Sequence, residues 1–161
     1  MVEISPLPAE RLDELLPAFL ALHRHHQEVS MVPVHEDEQL AWRLRRQVYA
    51  DTLAGERGFA LAAEEDGLVI GYAVVFVHPE ADDTFPYRNG HGEIYSLSVL
   101  PEQRGRGIGS RLLDRVDQEL AARGITDLAI GVLTGNDGAI RLYQRRGLVP
   151  GELMLYRIAG D

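Results

Sequence analysis

Leu97-Ser98-Val99-Leu100-Pro101-Glu102-Gln103-Arg104-Gly105-Arg106-Gly107-Ile108-Gly109-Ser110 runs from an apolar strand pattern through a glycine-rich turn into the start of an amphipathic helix. Glycine at every second position from Gly105 to Gly109 allows backbone angles that other residues resist and lets a ligand come close to the main chain. The helix that follows carries Ile108, Leu112, Leu113, Val116 and Leu120 on one stripe and meets a stop at Gly124. Its free N–H groups and positive dipole end, with Arg104 and Arg106 nearby, form an anion site. A Walker loop would need lysine where Gly109 stands, which disfavours nucleoside triphosphate hydrolysis. A dinucleotide fingerprint needs Gly-x-Gly-x-x-Gly with an acidic residue about 20 positions later, and the spacing here fails it.

Outward from this stretch the chain alternates strand and helix patterns. Val2 to Leu7 reads as a first strand, and Leu12, Leu15, Leu16, Phe19 and Leu22 give a helix closing near Val29. Glu36 to Leu53 predicts a second helix with Leu40, Leu44 and Val48 along its apolar face. Phe59 to Ala63 and Leu68 to Val77 flank Glu65-Asp66-Gly67, a hairpin signal. His78 to Gly92 is a long polar loop, and Glu93 to Leu100 is a strand stopped by Pro101. After the glycine-loop helix come a strand from Thr126 to Leu133, a short helix from Ala139 to Arg146 ended by Gly147, and a last strand from Leu153 to Ile158. Strand, helix, strand, helix, strand predicts a largely parallel region, and the first half supplies antiparallel strands, so the fold class is α+β with a mixed sheet.

The chain has 161 residues, 45% hydrophobic and 25% charged, which fits one domain spanning 1–161. With no cysteine it offers no disulfide, thiolate nucleophile or Cys-ligated zinc, and a reducing cytoplasm is the expected location. Neither a secretory leader nor a spanning apolar run is evident, so no membrane partner is expected. A net charge of -9 disfavours nucleic acid as a partner.

Arg104, Gly107 and Gly109 satisfy the pattern Arg/Gln-x-x-Gly-x-Gly/Ala, the pyrophosphate-binding motif of the GNAT acetyltransferases, which this sequence resembles. Leu97-Ser98-Val99 followed by Pro101 is similar to the strand that pairs with the pantetheine arm in that family. Asn136-Asp137-Gly138-Ala139-Ile140-Arg141-Leu142-Tyr143, followed by Gly147, is similar to its second signature. The match covers Glu93 to Leu148. It implies a GNAT fold with roughly six or seven strands, four helices and splayed central parallel strands. It also implies acetyl-CoA as cosubstrate, bound by Leu97, Ser98, Val99, Arg104, Gly105, Arg106, Gly107, Ile108, Gly109, Ser110, Asn136 and Tyr143.

Transfer from a thioester to an amine requires a neutral amine, a polarised carbonyl and a protonated leaving thiolate. Tyr143 resembles the family's general acid, and a phenol near pKa 10 can supply a thiolate whose acid lies near 8.5. Glu93 is the preferred general base, with His91, Tyr95 and Asp83 as competitors. Backbone amides of Leu97 to Val99 take the carbonyl by resemblance, and no metal is required. Asn136 is equally suited to capping a helix. The expected activity is acetylation of a small-molecule primary amine in a ternary complex. A protein N-terminal or lysine acetyltransferase and a noncatalytic acyl-CoA sensor stand as alternatives, and a homodimer through the final strands is a further expectation.

Other features carry less. His23, His25 and His26 lack the i, i+4 spacing of a metal pair. Arg43, Arg45 and Arg46 are expected to pair at the surface with Glu36, Asp37, Glu38 and Asp51. The loop holding Glu80, Asp82, Asp83, Phe85 and Tyr87 could hold a cationic substrate.

Overall fold

Asp66 (φ 52°) and Gly67 (φ 77°) both take the left-handed region, as a two-residue hairpin turn requires. They join β2 (Gly58–Glu65) to β3 (Leu68–His78). The computed structural model, which describes residues 1–159, builds outward from this hairpin. β1 (Glu3–Pro6) pairs antiparallel with β2, and β4 (His91–Val99) pairs antiparallel with β3. β5 (Leu128–Ile130) runs parallel to β4, giving the order β1-β2-β3-β4-β5.

Helices cover both faces. α1 (Leu16–Val29), preceded by a 3-10 turn over Ala9–Leu15, and α2 (Glu38–Ala54) lie on one side, where Leu12, Leu15, Phe19 and Tyr49 meet Ala60, Ala62, Tyr72 and Val74. α3 (Ile108–Ala121) and α4 (Asp137–Arg145) lie on the other, where Ile108, Leu112, Val116, Leu120 and Tyr143 meet Leu61, Ala73, Val75 and Ile94. This two-sided cover is why β2 and β3 read as continuous apolar runs rather than alternating ones.

Four expectations about the sheet are corrected. The sheet has five strands among the described residues, not six or seven. Only β4 and β5 are parallel, and the strand expected over Thr126 to Leu133 shrinks to Leu128–Ile130. Leu153 to Ile158 forms no strand: Leu153, Met154, Leu155, Tyr156 and Ile158 are exposed. An apolar pattern marks a segment able to pair, but a strand exists only where a neighbour completes its ladder.

Helix α2 turns a different face inward from the one expected. Its buried positions are Ala41 and Tyr49, with Arg45 half-buried between them, whereas Leu44 is 49% exposed. The inward stripe contains polar-tipped residues, so counting aliphatic side chains finds the wrong stripe.

Candidate functional site

Gly107 precedes α3 with φ 75° and ψ 9°, and no side chain caps the helix. Gly105 (φ 77°) takes the same left-handed region, and a β-carbon built on either glycine meets nothing within 4 Å. Conformation rather than crowding therefore demands glycine there. The first helical amides, Ile108 to Ser110, point out of the helix without a capping acceptor among the described residues. Such a helix start suits an anion of the diphosphate kind.

The two loop arginines do not both face that opening. Arg106 is tied to Glu65 through two 2.8 Å contacts and also bonds Gln103. Arg104 donates from Nε to the Val99 carbonyl at 3.1 Å. That leaves the backbone amides of Ile108 to Ser110 and the terminal nitrogens of Arg104 as candidate anion donors, with Arg106 committed to Glu65 at the end of β2.

Strands β4 and β5 pair only from Gly92↔Leu128 to Ile94↔Ile130. Beyond Ile94 the β5-facing edge of β4 has no ladder partner among the described residues, so main-chain groups from Tyr95 to Val99 are left for a ligand. Opposite, Val74 pairs with Ser96 and Val75 with Ile94, which makes Tyr95 the extra residue of a β-bulge. Bulges re-aim side chains and interrupt ladders beside functional sites. The Ser98 hydroxyl is spent on the Ala18 carbonyl at 2.7 Å, and Leu97 and Val99 pack towards α3. The Ser98 side chain is therefore committed, and the partly buried Leu97 and Val99 offer a ligand mainly their backbone.

Asn136 caps α4, accepting from Ala139 N at 3.3 Å, while His25 Nε2 from α1 reaches the same oxygen at 3.2 Å. The end of α1 packs so closely here that a β-carbon on Gly135 would lie 2.2 Å from the Val29 carbonyl. Tyr143, one helical turn and a half into α4, is 7% exposed and packs in the α3 side core. Burial pushes its phenol above the ordinary value. It stays protonated at any working pH and available as a donor. A cleft of about 500 Å³ lies between α1 and the end of β4, bounded by Arg24, His25, Leu100, Pro101 and Arg104.

Glu93 does not stand alone. His78 opposes His91 across β3 and β4, and its Nε2 meets Glu93 Oε2 at 2.8 Å. His91 stacks on both His78 (4.6 Å) and Tyr87 (4.0 Å), and burial followed by the neighbouring His78 lowers its pKa. Among the competitors, Asp83 bonds its neighbour Thr84 and Tyr95 stacks on Phe76 at 4.4 Å. Asp82 accepts from Thr84 N and Phe85 N through Oδ1, which shapes the loop and leaves its other carboxylate oxygen exposed. His78 was not singled out by sequence, because nothing in strand periodicity marks a diagonal cross-strand partner.

Arg45 overturns its surface assignment. It donates to Ser96 Oγ at 2.8 Å and lies over the Tyr95 ring (4.9 Å) and the Phe19 ring (5.7 Å). Arg46 does pair at the surface, with Asp13 rather than with the expected acids. The signal for Arg45 was its position four residues after Ala41 and four before Tyr49, on the inward face.

No helix among the described residues is long and apolar enough to cross a membrane. The model of the acetyltransferase (GNAT) family matches residues 12–148. The L-2,4-diaminobutyric acid acetyltransferase of Nocardia farcinica is 29% identical over 94 residues, which make up 56% of this chain and 45% of that relative. The chain thus spans about half the length of that curated relative. A GCN5-related N-acetyltransferase from Ralstonia eutropha JMP134 is 26% identical and superposes with a TM-score of 0.76, covering 99% of this chain and 100% of the other. A predicted acetyltransferase from Clostridium acetobutylicum, solved with acetyl-CoA, shares the fold with a TM-score of 0.71 at 18% identity, covering 98% and 96%.

Proposed function

The chain belongs to the acetyltransferase (GNAT) family, whose model spans residues 12–148, and from that premise we propose that it transfers an acetyl group from acetyl-CoA directly to the primary amine of a small molecule. The observation that carries this reading is the uncapped start of α3 following the β4 strand whose edge opens beyond Ile94. Together they offer a diphosphate cradle continuous with a run of free main-chain groups. Acetyl-CoA is suited to both, through its diphosphate and its amide-bearing arm, and the Clostridium acetobutylicum neighbour was solved with it.

The chemistry exchanges a thioester C–S bond for an amide C–N bond and moves one proton from nitrogen to sulfur. In this reading Glu93, held by His78, takes the amine proton. Main-chain amides of the open β4 edge stabilise charge on the carbonyl oxygen, a role for which fixed donors are effective. Tyr143 returns a proton to the departing thiolate. Since direct attack of the amine on the thioester needs no enzyme nucleophile, both substrates must be bound together.

A small-molecule acceptor is favoured because the Nocardia farcinica relative is a diaminobutyric acid acetyltransferase. The cytoplasm is the matching location for a cysteine-free chain. Self-association through the exposed residues near the C-terminal end accompanies this reading, and light scattering should return twice 17.9 kDa.

The test is release of free thiol from acetyl-CoA across a panel of small amines, N-terminal peptides and lysine peptides. Acceptor-dependent release with small amines supports the proposal. Peptide-only turnover would make the protein a protein acetyltransferase, and CoA binding without turnover would make it a sensor. Within an active pair, Glu93→Gln is expected to remove the ascending limb of the kcat/KM pH profile. An unaltered limb would exclude Glu93 as the titrating base.

A further inference from the structure

Between α1, α2 and β4 lies a cavity of about 240 Å³. Its walls include Phe19, Val34 and Val48, its polar groups are Arg45, Tyr95 and three histidines, and no carboxylate lines it. Among the described residues the Arg45 guanidinium has no acidic partner. One of its five donors goes to Ser96 Oγ, and its flat face lies over the Tyr95 and Phe19 rings. Ser96 Oγ is itself fixed, accepting from the Tyr49 hydroxyl at 2.6 Å, which in turn meets the Tyr72 hydroxyl at 3.0 Å. Tyr49 and Tyr72 are fully buried, so the network holds the guanidinium in one place.

A half-buried guanidinium without a counter-ion is costly, and the planar fork it leaves open matches a carboxylate. His26, on the same cavity, is held down to about 4 by burial and then by Arg45, and is neutral at neutral pH. Arg45 is therefore a fixed positive charge facing that space. Tyr95, beneath the guanidinium, is the bulged residue from which the β4 edge opens, and Glu93 lies two residues earlier on the same strand. An anionic group at Arg45 would lie beside Tyr95, two residues along β4 from Glu93.

We propose that Arg45 binds the carboxylate of the acceptor, so that the acceptor is a small amino acid carrying the amine to be acetylated. This rests on the acetyltransferase reading and narrows it. A polycationic acceptor would meet a like charge and no counter-charge in this cavity.

The experiment compares acceptor pairs that differ by one carboxylate: 2,4-diaminobutyrate with 1,3-diaminopropane, and lysine with cadaverine. In the wild type the amino acid of each pair is expected to have the higher kcat/KM, by about 10-fold or more, as a charged hydrogen bond implies. Arg45→Gln should raise KM for the amino acid by about 10- to 100-fold and leave KM for the diamine and the affinity for CoA unchanged. Arg45→Lys, which keeps the charge without the fork, should fall between, and it serves where the glutamine variant does not fold. Calorimetric titration of the CoA-loaded protein with each pair reads the same preference without turnover. Equal use of both members, or an Arg45→Gln variant that retains the preference, would overturn the carboxylate assignment while acetylation stood. Preferential amino acid binding without acetyl transfer would instead sink the enzyme reading and keep the assignment.

Discussion

Tyr143→Phe is expected to lower kcat by about 10²-fold or more while leaving affinity for CoA and thermal stability close to wild type, the size expected for lost general acid catalysis. Among the described residues the phenol has no hydrogen-bond partner, and burial is the one cause of its raised pKa, so removing the oxygen breaks no structural bond. A phenol with a raised pKa is a weaker donor in water. The thiolate it serves would sit in the same dry region, where desolvation makes sulfur more basic as well. The two shifts run in the same direction and so offset one another. An unchanged kcat with a lowered melting temperature would reduce Tyr143 to a packing residue of the α3 side core.

Gly107→Val should weaken CoA binding by about 10²-fold, the loss of one or two charge-assisted hydrogen bonds at roughly 1.5–3 kcal/mol each. The added side chain meets no neighbour, since the position of a β-carbon there is empty to 4 Å. The effect comes from the backbone. At φ 75° an L-residue with a branched side chain is strained, at about 1–2 kcal/mol or more, and the loop relieves that strain by leaving the left-handed region. Relief turns the amides of Ile108 to Ser110 away from a common point. Gly107→Ala should show the same loss at smaller size. A valine variant that binds CoA as the wild type does would mean that these amides are not the anchor.

The glycine loop and the helix after it were legible because their constraints are local. Positive φ needs glycine, the α3 stripe repeats at helical spacing, and both are written in consecutive residues. The hairpin at Asp66-Gly67 was legible for the same reason. What the sequence did not carry was partnership. Leu153 to Ile158 has a strand composition and no neighbouring strand, and Thr126 to Leu133 narrows to three paired residues because β4 and β5 separate after Ile94 and Ile130. The commitment of Arg106 to Glu65, 41 residues away, was hidden likewise.

Arg45 is the more instructive miss. Neighbouring acids in the sequence made surface pairing the simple reading, but the helix rotates it inward between Ala41 and Tyr49. Its stabilisation comes from aromatic faces and a serine on β4, 51 residues away, contacts that no local pattern encodes. His78 escaped in the same manner, joined to Glu93 only through the register of β3 and β4.

Calorimetric titration of the folded protein with CoA tests the central claim most directly. Saturable one-to-one binding that Gly107→Val weakens is the predicted result; absence of heat from a correctly folded sample, or equal affinity in the two proteins, would contradict it.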